Sequence, residues 1–239
     1  MKKTFPLILL ASLLIMVGCE KTEKDDDPAT PTIGLFKLPD GSTVRFAPGN
    51  LVYDASTGYG FTAHQFDYGG YFGWGTGSDP TYYSNDWYDY TIFDDWGNHI
   101  EGGWRTLSET EWKYLIGDRA GAADKCGTAR VCGTNGLILL PDNWEGDPIA
   151  LSCDNYDKCV LDVDAWSALE ADGAIFLPAA GYVSNNSEPH GVGAMGYYWV
   201  HDVDGTSSSG TRLTFNSNDV WTIFNYKNEG LSVRLVQAQ

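Results

Sequence analysis

Fifteen basic side chains stand against 32 acidic ones in 239 residues, a formal net charge of -17, with 43% hydrophobic and 20% charged residues. This is the composition of a globular chain, which excludes a wholly disordered, collagen-like or coiled-coil polypeptide. The negative field repels phosphate backbones and anionic headgroups, so it argues against nucleic acid and leaves cations, neutral sugars and proteins as partners.

Lys2 and Lys3 are followed by an apolar stretch from Phe5 to Val17, shorter than the ~20 residues of a membrane span, and residues 1–19 read as a signal peptide. Met16-Val17-Gly18-Cys19 resembles the lipobox that is cut and diacylated in bacterial lipoproteins, which makes Cys19 the expected lipidation site. A plain secretory leader is the other reading, because Met stands where Leu is commoner. Residues 20–32 are charged and then rich in Pro and Thr, as in a disordered acidic tether. Lys24-Asp25-Asp26-Asp27 resembles the acidic export signal that carries lipoproteins to the outer face of the outer membrane; a solubilising linker is the plainer reading. On the first reading, the lipid is the only contact with the membrane and the protein faces the exterior.

Residues 33–239 show no second linker and no repeat at a fixed period, so one domain is expected. Thr43-Val44-Arg45-Phe46 alternates polar and apolar, the signature of a half-buried strand. Ser108-Glu109-Thr110-Glu111 is a capping box that opens a helix with Trp112, Leu115 and Ile116 inward and a stop at Gly117. Leu137 to Leu140, closed by Pro141, reads as a fully buried strand. Asp164 caps a second helix with Trp166 and Leu169 on one face, ended by Asp172-Gly173. Ala174 to Leu177, closed by Pro178, repeats the buried pattern, while Arg212 to Phe215 and Ser232 to Val236 alternate. The expected class is α+β, with short antiparallel strands, two short helices and long irregular loops.

Several of these motifs together resemble a known family. Trp104-Arg105-Thr106-Leu107-Ser108-Glu109-Thr110-Glu111-Trp112-Lys113-Tyr114-Leu115 is similar to the helix signature of the formylglycine-generating-enzyme type of C-type-lectin-like fold. The runs from Val44 to Leu51, Phe72 to Gly77, Gly136 to Trp144, Leu169 to Tyr182, Gly196 to Trp199 and Gly230 to Val236 resemble one subgroup, surface lipoproteins of gut anaerobes. Some members of that subgroup are the variable targets of diversity-generating retroelements. The resemblance covers nearly all of the domain and implies a C-type-lectin-like fold, but fold alone does not give function.

The enzymes of this family act through paired cysteines late in the chain, whereas no cysteine follows Cys159 here. Oxidase activity is therefore not expected, and no residue is assigned a catalytic role. His64, His99, His190 and His201 show no metal-binding spacing. Asp94-Asp95 could serve calcium or glycosidase chemistry, but no calcium-loop motif is present and no cofactor is expected. Cys126 and Cys132 enclose five residues, as do Cys153 and Cys159, wider than the two to four that zinc sites prefer. In an oxidising compartment they read as two disulfides, with local bridges Cys126–Cys132 and Cys153–Cys159 expected and a connection between the two segments as the alternative.

Two regions compete as binding surface. Tyr71 to Trp104 is dense in aromatic residues among Gly, Asp and Asn, including Trp74, Tyr82, Tyr83, Trp87, Tyr88, Tyr90, Phe93, Trp96 and Trp104, and suits either pyranose stacking or a core filled from long loops. The segment from Trp199 to Leu231 alternates apolar anchors with short polar residues. In the retroelement targets the corresponding stretch forms the variable, solvent-facing surface, so the resemblance implies a ligand-binding role for Trp199, His201, Asp202, Asp204, Asn216, Asn218, Trp221, Thr222, Phe224, Tyr226 and Asn228. Period-two geometry places Thr214 and Asn216 outward, opposite Leu213 and Phe215; an ordinary hairpin with polar outer positions fits the same pattern. The expected partner is a protein or glycan at the cell surface.

Overall fold

The computed structural model describes residues 34–78, 92–184, 188–201 and 209–239. The leader, Cys19 and the tether lie outside the described residues, as do Tyr82, Tyr83, Trp87, Tyr88, Tyr90, Asp202 and Asp204. In chain order the strands are β1 (Phe36–Lys37), β2 (Thr43–Phe46), β3 (Leu51–Asp54), β4 (Gly58–Phe61) and β5 (Trp104–Thr106). Then follow β6 (Cys126–Val131), β7 (Thr134–Leu139), β8 (Val160–Leu161), β9 (Ile175–Pro178) and β10 (Val183–Ser184). The last are β11 (Gly196–Trp199), β12 (Ser209–Phe215), β13 (Val220–Tyr226), β14 (Glu229–Gly230) and β15 (Leu235–Ala238). The helices are α1 (Glu109–Lys113), α2 (Ala122–Lys125) and α3 (Val163–Ala171). The protein is thus of mixed α+β class, mostly short strands in small antiparallel sheets with few short helices.

The first sheet has the order β1-β2-β15-β5, so β15 is hydrogen-bonded on both sides by strands from the first half of the domain. A second sheet, β8-β6-β7-β9, is antiparallel except for the parallel pair β6–β8. Alternate residues of β7 and β9 enter different apolar clusters: Leu137, Leu139, Ile175 and Leu177 join Phe36, Phe46 and Trp112, whereas Ile138 and Phe176 join Trp166 of α3. A strand buried on both faces needs a continuous apolar run rather than an alternating one, which is why Leu137 to Leu140 reads as it does. Each large side chain fully buried in this way contributes about 1.5–3 kcal/mol.

Helix α1 begins at the expected capping box: the Ser108 hydroxyl accepts from the Glu111 N–H, and the Glu111 carboxylate accepts from the Ser108 N–H at 2.7 Å. Its chain does not stop at Gly117 but widens into one π-helical turn, Tyr114–Asp118. The second helix is capped by Asp162, not Asp164; Asp162 Oδ1 accepts from Ala165 N–H at 2.9 Å, while Asp164 lies inside the first turn, where a negative charge suits the helix dipole. The short α2 is a third helix that the sequence pattern does not announce.

The sheet β11-β12-β13 lies between two apolar clusters. Tyr198, Leu213 and Phe215 belong to the cluster that contains Trp112, and Tyr197 and Trp199 to the one that contains Phe72, Trp74 and Trp96. Both faces of β12 are therefore covered. This corrects the outward placement of Thr214, which is 1% exposed.

Candidate functional site

Strands β12 and β13 form a hairpin in register from Ser209↔Tyr226 to Phe215↔Val220. Its turn is held by Asn216, whose side-chain oxygen accepts from the N–H groups of Asn218 at 2.7 Å and Asp219 at 3.0 Å. The hairpin is fixed to α1 through a hydrogen bond of 3.0 Å from the Thr222 hydroxyl to Glu109 Oε1. Strand β13 is the outer strand of its sheet. It presents three large side chains within four residues: Ile223 is 45% exposed, Phe224 73% and Tyr226 52%. Phe224 and Tyr226 share one face of this strand and Ile223 lies on the other, and exposed apolar side chains along an edge strand mark an interaction surface.

Beside these residues lies a concave site of about 450 Å3, lined by Tyr182, Tyr197, Ser209, Arg212, Phe224, Asn225, Tyr226 and Glu229. Tyr182 is placed by the paired backbone bonds Tyr182 N–H to His190 carbonyl, 3.0 Å, and His190 N–H to Tyr182 carbonyl, 2.8 Å. The preceding Gly181 has φ +69 and sits so close to the His190 carbonyl that a Cβ would collide with it. Glycine is thus required immediately before a ring of the site.

The polar floor is a linked set. Arg212 lies 4.2 Å above the Tyr197 ring and 3.6 Å from the Glu229 carboxylate, which in turn accepts from Asn225 Nδ2 at 2.8 Å. Burial pushes the Arg212 guanidinium below its usual value, and its Nε makes no hydrogen bond among the described residues. The site therefore combines aromatic faces with a guanidinium, an acceptor carboxylate and a carboxamide that can serve as donor or acceptor. This chemistry suits an oxygen-rich ligand with an apolar face.

Of the residues that the sequence nominated, Phe224 and Tyr226 line this site. Trp199 does not: it is 1% exposed in the core, and its indole N–H donates to the Phe72 carbonyl at 2.6 Å. Asn216 is engaged in the turn and Thr222 by α1, while Asn218 is exposed at the turn and Trp221 and Asn228 are half-buried. His201 is held elsewhere, with its Nδ1 3.3 Å from Asp95 and its N–H donating to the Leu107 carbonyl at 2.8 Å. Tyr182, Tyr197, Ser209, Arg212, Asn225 and Glu229 are the lining residues that sequence reasoning missed. The tyrosines stand inside the quoted Gly-Tyr and Gly-Tyr-Tyr motifs, but the meeting of Arg212 with Glu229 depends on strand pairing that no local pattern reveals.

The remaining candidates resolve as follows. Phe72, Trp74 and Trp96 are buried and Phe93 and Trp104 pack against the same cluster, so the described part of the Tyr71–Trp104 segment supplies core. Asp94 and Asp95 part company: Asp94 meets His99 Nε2 at 3.0 Å, whereas Asp95 is buried and accepts from the Thr106 N–H, 2.9 Å, the Thr106 hydroxyl, 3.0 Å, and the Gly97 N–H, 3.0 Å. No group of three or more metal-ligating side chains occurs among the described residues, and no helix among them is long and apolar enough to cross a membrane.

The expected local disulfides are overturned. Cys126 opens β6 and Cys132 follows its last residue, about 20 Å away at ~3.3 Å per residue, far beyond the ~7 Å that a disulfide allows between Cα atoms. Cys153 packs against the cluster of Trp112 and Cys159 against that of Trp166. All four are thiols in this structure. Comparison with protein-family models, characterised proteins and solved structures returns no match.

Proposed function

We propose that the chain is a cell-surface lipoprotein whose C-type-lectin-like domain is a ligand-binding or adhesive module without catalytic activity, its partner a glycan or a protein at the cell surface. The observation that carries this reading is the coincidence on one hairpin of exposed Ile223, Phe224 and Tyr226 with the concave site of Arg212, Asn225 and Glu229. Rigid aromatic side chains supply contact area at low entropic cost, and the polar floor fixes orientation. The two covered faces of β12 and the tie to α1 make the hairpin a firm platform, the condition for binding without reorganisation.

The test pairs melting temperature with binding to a glycan array and a panel of host-cell proteins. Alanine at Phe224, Tyr226 or Arg212 is expected to weaken binding tenfold or more, with Phe224 and Tyr226 costing under ~1 kcal/mol in stability. Alanine at Phe215 or Trp199 is expected to cost ~3 kcal/mol or more through the cavity it leaves. Unchanged binding in the Phe224 and Tyr226 variants, with loss on substitution at Tyr82 to Tyr90, would move the site to the aromatic segment.

A further inference from the structure

Cys126 and Cys153, distant in sequence, meet in space. Cys126 is the first residue of β6 and is 5% exposed, whereas Cys153 is half-exposed on the segment that passes beside it. That segment is held by the Thr128 N–H and hydroxyl, both donating to the Ser152 carbonyl at 3.1 Å. Gly127 permits the approach: a Cβ there would stand 2.6 Å from the Ser152 nitrogen and 2.7 Å from Leu151 Cβ. Cys153 packs against the apolar cluster that contains Cys126, and each thiol shifts the ionisation of the other. Both line a cavity of about 470 Å3 that is open to solvent and also bounded by Ile116, Ala122, Leu151 and Val220.

The other two cysteines lack this arrangement. The β6–β8 register sets Arg130 against Val160 and Val131 against Leu161, so Cys159 lies level with Ala129, three positions from Cys132. Three strand positions span about 10 Å, which a disulfide does not bridge.

We propose that Cys126 and Cys153 form a redox-active dithiol that closes to a disulfide when a small-molecule or carrier-protein disulfide enters this cavity. The Cys153 thiolate attacks one sulfur of the incoming disulfide, giving a mixed disulfide and expelling the first carrier thiolate. Cys126 then loses its proton and attacks Cys153 Sγ, expelling the second. Two thiols become one disulfide, two electrons pass to the carrier, and both protons end on its two thiols. The division of labour follows from the placement: the neighbouring Cys126 holds the Cys153 thiol below its usual value, while Cys153 and burial push Cys126 up. The exposed, more acidic thiol attacks and the buried one resolves.

The experiment equilibrates the full chain with glutathione disulfide, alkylates the remaining thiols and maps the peptides. Trypsin releases residues 126–130 with Cys126, but residues 131–158 carry both Cys132 and Cys153, so a second cleavage with chymotrypsin between them is needed. The expected product joins Cys126 to Cys153 and leaves Cys132 and Cys159 alkylated. Reduction is expected to lower Tm by about 5–10 °C, and Cys153→Ser to abolish that redox dependence. Four alkylated cysteines, glutathione held on Cys153 without bridge formation, or any other pairing would overturn the proposal.

Discussion

Asp95 shows how much one buried carboxylate can organise. Burial alone would raise its pKa, but hydrogen bonds from His201, the Thr106 and Gly97 N–H groups and the Thr106 hydroxyl hold it below the ordinary value. A carboxyl whose folded pKa is depressed stabilises the protein fully above its unfolded pKa of about 4, and that contribution is lost as pH falls through the folded value. Asp95→Asn is therefore expected to cost about 1–3 kcal/mol at neutral pH and to flatten the pH dependence of stability below about pH 4. Urea denaturation across the acid range measures both effects; a variant with wild-type stability at every pH refutes this role. Sequence alone shows Asp94 and Asp95 as an undivided acidic pair, because it carries side-chain type but not direction. Trp199 fails as a binding residue for the same reason: alternation separates the faces of a strand without saying that both are covered.

Elements were legible where their determinants are local. The Ser108–Glu111 capping box, the buried runs of β7 and β9 and the alternation in β2 and β12 all appear within a few residues of sequence. Asp162 and Asp164 stand two apart, both able to cap, and only the backbone direction decides between them. Ser108→Ala is expected to lower stability by about 1 kcal/mol, and Gly181→Ala by more, since Ala must adopt a left-handed φ against the His190 carbonyl. Thermal unfolding of the two variants ranks them; a more stable Gly181→Ala protein contradicts the close approach. The concave site was only half legible, because Phe224 and Tyr226 announce themselves as aromatic residues in a polar stretch. Arg212 and Glu229 become a pair only when β12, β13 and β14 have formed.

At the scale of the molecule the decisive contacts are long-range. Arg234, 1% exposed, donates to Asn50 at 3.3 Å, to Gln65, and to the Phe176 carbonyl at 3.2 Å, joining three distant parts of the domain. Burial pushes this guanidinium down to about 10, which leaves it charged at neutral pH. No sequence window contains these partners, so Ser232 to Val236 reads as a simple alternating strand although every residue in it is buried. The proposed anchor belongs to this scale too. Cys19→Ala is expected to abolish lipid attachment, and joint replacement of Asp25, Asp26 and Asp27 to leave a lipidated protein that faces the periplasm. Protease shaving of intact cells decides between an export signal and a linker, and unchanged surface exposure of the triple variant rejects the former.

The position of β15 has a temporal meaning. Among the described residues it follows the other fourteen strands, yet β2 and β5 pair through it rather than with each other. A nascent chain that has emerged as far as Gly230 therefore has both flanking strands and nothing to join them, and must pay the closure entropy of nearly the whole domain in one late step. The first sheet therefore stays open, and its flanking strands accessible to chaperones and to proteases, until Leu235–Ala238 are available.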